Sequence, residues 1–203
     1  TTGIPGSLYF GGWNDNNDGP NTPWDFTHVT ADVQTDRAYY AILELNVNDT
    51  DTLFRGWMNG SLMGSKTDVG PLHSHGGDIR LGGNESAVYH DGQSGSPHYF
   101  NGELMEFLSY NYTLNSAQRK IIENHFAAKF RNQIETDLAG SRDFYNYRAS
   151  YGYEVFGMGQ DDINNNHTVT KGTGLVRLDQ PTNLNDGEYL MSGHDNGDIT
   201  AWT

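Results

Sequence analysis

Only one stretch of this 203-residue sequence is built to sustain an α-helix, the run from Leu114 through Asn115, Ser116, Ala117, Gln118 and Arg119 to Phe130. The chain as a whole carries 20 Asn, 25 Gly and 18 Asp, against 8 Glu, and Asn, Gly and Asp favour turns and left-handed backbone over helix. Asn115 is a good N-cap with Gln118 three residues on, in capping-box register. Ile122, Phe126 and Phe130 recur at i, i+4 and i+8, so the spacing predicts a helix over Ser116 to Arg131 whose stripe faces a core. A chain limited to one such element builds the rest from strands.

The strand signals are correspondingly frequent. From Arg37 to Val47, Tyr39, Ala41, Leu43, Leu45 and Val47 alternate with Tyr40, Ile42, Glu44 and Asn46, which predicts a strand with the first set turned to the core. Asn59-Gly60, between LFRGWM and SLMGS, predicts a tight hairpin, because both central residues of a type I′ turn need positive φ. Further strands are predicted at Ser7 to Phe10, Asp78 to Leu81, Tyr99 to Tyr112, Tyr151 to Met158, Thr168 to Lys171, Gly174 to Leu178 and Glu188 to Met191. No repeat of solenoid or propeller length is evident.

Charge and apolar content narrow the function classes. Twelve basic residues face 26 acidic ones, for a formal charge of −14, which argues against a nucleic-acid partner, since phosphate neutralisation needs clustered Lys and Arg. Mean hydropathy is −0.69, and no apolar run approaches the roughly 18 residues of a membrane span. Aromatic residues, 12% of the chain and spread throughout, supply enough bulky surface for a packed core. With no cysteine, disulfides, Cys-ligated zinc and thiol nucleophiles are excluded.

The order of several segments carries a family likeness. WMNGSLMGS from Trp57, IRLGGN from Ile79, FNGELMEFLSYN from Phe100, LNSAQR from Leu114 and IENHFAAKF from Ile122 together resemble the closing half of a LamG-like, concanavalin A-like lectin/glucanase jelly roll. VFGMGQDD at Val155 to Asp162 and GEYLMSGHDNG at Gly187 to Gly197 look like the segment that follows such a domain in very large secreted surface proteins of the Bacteroidetes type. The resemblance implies an all-β, antiparallel jelly-roll β-sandwich with one short amphipathic helix over residues 1–131, and a β-rich following segment over 132–203. It also implies an extracellular or cell-surface location. A complete jelly roll has several strands before the equivalent of Arg37, so further strands are expected from neighbouring domains or chains that complete the sandwich.

Candidate site residues lie mostly in loops. Trp13, Trp24 and Trp57 are candidates to offer flat rings to a polysaccharide or cell-surface glycan, since a pyranose CH face packs well on an aromatic ring; Trp57, in a hairpin strand, reads more readily as a core residue than as a ligand contact. Asn14, Asn16 and Asp18 alternate before Gly19, and Asp25 stands at the twelfth position, the pattern of an oxygen-ligand Ca2+ loop. Asn at position one, Asp at position twelve and the lack of flanking helices weaken that pattern into a turn-rich loop. His73-Ser74-His75 has no third zinc ligand in register.

Catalytic chemistry is not legible. A glucanase of this fold would place two carboxylates on one strand face about 5 Å apart, whereas Glu103 and Glu106 fall on opposite faces. No nucleophile elbow, phosphate loop or dinucleotide fingerprint occurs. The sequence therefore reads as a non-catalytic extracellular carbohydrate-binding or adhesion module of a large bacterial surface protein. A structural or self-assembling component without a glycan ligand is the alternative, and a split or degenerate glycanase ranks last.

Overall fold

The computed structural model describes residues 6–14, 25–47, 52–67, 81, 100–131, 142–172, 176–196 and 198. The strands are β1 (Gly6–Asn14), β2 (Asp25–Val33), β3 (Ala41–Val47), β4 (Thr52–Met58), β5 (Ser61–Lys66), β6 (Tyr153–Asp162), β7 (Asn165–His167), β8 (Thr170–Gly172), β9 (Val176–Leu178) and β10 (Glu188–His194), with one helix, α1 (Ser116–Phe130), between β5 and β6. Every described pairing is antiparallel. The described strands fall into four small sheets, β1-β2, β3-β4-β5, β10-β6-β7 and β8-β9, an all-β fold with a single helix among the described residues. The proposed units 1–131 and 132–203 are joined through α1, which packs on β6.

The hairpin at Asn59-Gly60 forms as its chemistry dictates, with φ of 49° and 86° at the two residues. It sets β4 beside β5, and β3 pairs β4 in full register from Ala41↔Met58 to Val47↔Thr52. Both faces of this sheet are covered. On one, Phe54, 1% exposed, and Leu45 join Ala31, Leu8, Met58 and Met63, bringing the β1-β2 hairpin onto the sheet. On the other, Tyr40, Glu44 and Trp57 are buried beneath α1.

That arrangement corrects the expected orientation of β3. Ala41 and Leu43 are exposed, whereas Tyr40 and Glu44, on the face read as outward, are buried. Period two fixes which residues share a face but not which face finds cover. The helix supplies that cover with charge as well as apolar surface, so a glutamate is drawn inside.

The helix keeps its expected bounds and cap. Asn115 Oδ1 accepts from the Gln118 amide at 2.9 Å, and Gln118 Oε1 accepts from the Asn115 amide at 3.0 Å. The expected stripe, however, is not the buried one: Ile122, Phe126 and Phe130 are half-buried, while Ala117, Ile121, Asn124 and Ala128 point inward together with Arg119, Glu123 and Ala127. A helix held between two sheets buries two flanks, and these residues fill them. Ala128 meets Tyr145, Val155 and Met191, and Ala127 meets Tyr40. Phe126 caps the seam, stacked on Tyr40 at 6.3 Å and on Phe130 at 6.1 Å.

Central β6 is buried from Val155 to Gly159. Its Phe156 ring lies so close over Gly172 of β8 that a Cβ there would sit 2.1 Å from it, which seats the β8-β9 hairpin against β6.

One expected strand is absent. The described part of the Tyr99 to Tyr112 segment, residues 100–112, forms no strand and pairs with no described strand. Alternation supplies two faces, but a strand exists only where a ladder partner takes its N–H and C=O groups. Phe100, Leu104, Met105, Phe107, Leu108, Tyr110 and Tyr112 are left between 42% and 59% exposed. An ion pair from Lys129 to Glu106 at 2.8 Å ties the segment to α1. Asp78 to Arg80 of another expected strand lie outside the described residues.

Candidate functional site

A cavity of about 270 Å³ opens where β2 ends and the β4-β5 hairpin turns. It is lined by Asp32, Val33, Gln34, Arg37, Tyr39, Met58, Asn59 and Met63. Its wall is the connection from Gln34 to Tyr40, which Asp36 turns with a left-handed φ of 63°. Two bonds lock this wall to the hairpin: the Asn59 amide donates to the Tyr40 carbonyl at 3.0 Å, and the Tyr40 amide donates to Asn59 Oδ1 at 3.1 Å. The Gln34 amide donates to Tyr39 Oη at 2.9 Å, which fixes the tyrosine ring. The Arg37 guanidinium lies 5.7 Å over that ring, within cation–π range.

The cavity is small beside the roughly 300–1,000 Å³ pockets of drug-sized ligands. It brings together the apolar side chains of Val33, Met58 and Met63 with one carboxylate, one guanidinium and two amides. Such a set offers both hydrogen bonds and apolar contact to a small hydroxylated ring.

A second cluster is buried between the sheets. Three guanidiniums (Arg55, Arg119, Arg142) meet two carboxylates (Glu44, Glu123). Glu44 accepts from Arg55 Nη1 at 3.4 Å and from Trp57 Nε1 at 3.3 Å, and Arg119 Nη1 stands 3.9 Å from it. Glu123, 0% exposed, accepts at Oε2 from Arg142 Nη2 at 2.6 Å and Nε at 3.1 Å. Its Oε1 and Arg119 Nε lie 3.7 Å apart, and neither has a hydrogen bond.

Burial raises the Glu123 pKa and lowers that of Arg119, since each loses hydration that its partners only partly replace. The Arg119 guanidinium sits 3.7 Å over the Trp57 ring. This network joins α1 to β3, to β4 and to the chain at Arg142. Asn124 completes the joint, donating to the Lys120 and Arg142 carbonyls and accepting from the Phe144 and Tyr145 amides, which uses its full bonding capacity.

A third cluster gathers on Asp161. Its carboxylate accepts from Ser116 Oγ at 2.5 Å, Lys120 Nζ at 2.6 Å and Tyr189 Oη at 2.6 Å. Partial burial opposes ionisation, but the three donors and the lysine charge outweigh it and hold the pKa below the usual aspartate value. Tyr189 is raised by burial and by Asp161. A carboxylate engaged by three donors is a weak base, and here it fastens the first turn of α1 to β6 and β10.

The described residues singled out from sequence fall in two places, the core beneath α1 and the end of the β1-β2 ladder. Trp57 takes the core position, its ring covered by Arg119, so it offers no open face to a sugar. Trp13 lies in β1, its backbone opposite Phe26; Trp24 lies outside the described residues. Asn14 and Asp25 are Cα partners at the last step of the β1-β2 ladder, so two of the four expected Ca2+ ligands start from adjoining backbone positions. Asn16, Asp18 and the His73-Ser74-His75 run lie outside the described residues. Among the described residues no three His, Cys, Asp or Glu side chains converge on a metal position, and no helix is long and apolar enough to cross a membrane.

The cavity residues were missed because Arg37 and Tyr39 were read as the start of a strand. The readable signal was Gln34-Thr35-Asp36-Arg37, a polar connection facing an Asn-Gly hairpin. Comparison with protein-family models, curated proteins and solved structures finds no match for this chain.

Proposed function

We propose that this chain is a non-catalytic, extracellular carbohydrate-binding or adhesion module of a large bacterial surface protein, built on a concanavalin A-like, LamG-like jelly roll. The cavity beside Tyr39 carries the reading: it sets Val33, Met58 and Met63 beside polar side chains in a space of about 270 Å³, the scale of one sugar residue. The ordered segments from Trp57 to Phe130 support the jelly roll by resemblance. A glycan array probed with the purified chain tests the reading, with binding lost in Tyr39→Ala as the expected result. Binding to no glycan contradicts it.

The Ca2+ loop at Asn14, Asn16, Asp18 and Asp25 belongs to the same proposal. Millimolar calcium is expected to raise the melting temperature, by mass action on the native state, and Asp18→Ala to abolish the rise. No rise in the unmutated protein removes the loop from the account. The self-assembling alternative is favoured by a different observation, the exposed apolar run from Phe100 to Tyr112; polymerisation with rising concentration and no glycan binding would select it.

A further inference from the structure

The cavity carries a more specific reading of its ligand, which rests on the carbohydrate proposal. Asp32 and Arg37 both line it, yet they form no ion pair with each other or with any described residue. Of the other described arginines, Arg55, Arg119, Arg142, Arg148 and Arg177 stand within ion-pair distance of a carboxylate, and the exposed Arg131 does not. Arg37 thus brings to the cavity wall a guanidinium, set over the Tyr39 ring, that no described carboxylate neutralises.

We infer that the cavity binds a sugar bearing a carboxylate, a uronic acid residue, with the carboxylate on Arg37 and the ring hydroxyls on Asp32, Gln34 and Asn59. The guanidinium is a planar fork that matches a carboxylate with two parallel hydrogen bonds. Asp32 accepts hydrogen bonds from hydroxyls and repels a second anion, so the two charges impose a direction on the sugar. Val33, Met58 and Met63 supply the apolar surface for its CH face. A sulfate ester presents less basic oxygens to the same fork, so its charge-assisted hydrogen bonds are weaker than those of a carboxylate.

Calorimetric titration of the full chain with methyl glucuronide, methyl glucoside and glucose 6-sulfate tests the inference. The glucuronide is expected to bind roughly tenfold more tightly than the glucoside, the scale of one charge-assisted contact, and more tightly than the sulfate. Arg37→Gln is expected to erase that preference without lowering the melting temperature, and Arg37→Lys, which keeps charge but loses the fork, to retain part of it. Equal binding of glucuronide and glucoside, stronger binding of the sulfate, or a preference that survives Arg37→Gln overturns the inference while leaving a carbohydrate module standing. Failure to bind any saccharide here or on a glycan array overturns both.

Discussion

Residues 100–112 and α1 are neighbours in sequence and opposites in burial. The first carries seven large apolar or aromatic side chains, none less than 42% exposed; the second buries an arginine, a glutamate and an asparagine, with Glu123 at 0%. Hydrophobicity alone would reverse them. What separates them is the supply of partners: α1 meets Glu44 and Trp57 from one sheet and Arg142 and the Phe144 and Tyr145 amides from the 142–145 connection, whereas 100–112 pairs with no described strand. Burial in this chain follows available partners more closely than side-chain polarity, because a buried charge is tolerable when paired and an apolar strand stays open until something covers it.

The sharpest way to break the contrast is to remove a partner from the helix side. Arg142→Ala leaves Glu123 enclosed without its bidentate donor and is expected to cost about 3–5 kcal/mol in denaturant unfolding. A loss below about 1 kcal/mol would mean that water reaches Glu123 and that the joint is not sealed.

A middle-sized effect belongs to Asp161. Asp161→Asn replaces an acceptor of three hydrogen bonds with a group that also donates, and is expected to cost roughly 1–3 kcal/mol near neutral pH. Because the folded pKa of Asp161 is depressed, its contribution is present above the ordinary aspartate value of about 3.9 and is lost as pH falls through the folded value. Thermal melts of wild type and variant should therefore converge on acidification. A gap that stays constant down to strongly acidic pH would contradict the assignment.

The smallest effect on stability is expected on the open side. Leu108→Asp, in a side chain already 43% exposed, should change unfolding free energy by no more than about 0.5 kcal/mol, yet suppress any self-association measured by light scattering. A destabilisation of several kcal/mol would show Leu108 to be covered in the free chain.

The sequence was legible where chemistry is local. The Asn59-Gly60 turn needs only two residues with positive φ, and the Asn115 cap needs only Gln118 three positions on; both formed as read. It was illegible where the outcome depends on distant cover. Alternation in β3 was correct as a pattern, but its polar face went inward because Arg119, Arg55 and Trp57 were there to receive Glu44. The Ile122, Phe126 and Phe130 stripe was real in spacing and secondary in burial, since a helix with two covered flanks buries more than one stripe. Asp32 and Arg37 could not be joined from sequence: their shared cavity depends on the fold of the 34–40 connection and the β4-β5 hairpin.

Hydrogen–deuterium exchange on the free, unliganded chain bears most directly on the contrast between these two segments, because amide protection reports whether a segment has partners, whatever its composition. The amides from Arg119 to Phe130, which have carbonyl partners within the helix, are expected to be strongly protected and those from Asn101 to Tyr112 to exchange orders of magnitude faster, near the rate of unstructured chain. Equal protection of the two segments would contradict the account, for it would mean that the Asn101 to Tyr112 backbone is already paired within the folded chain.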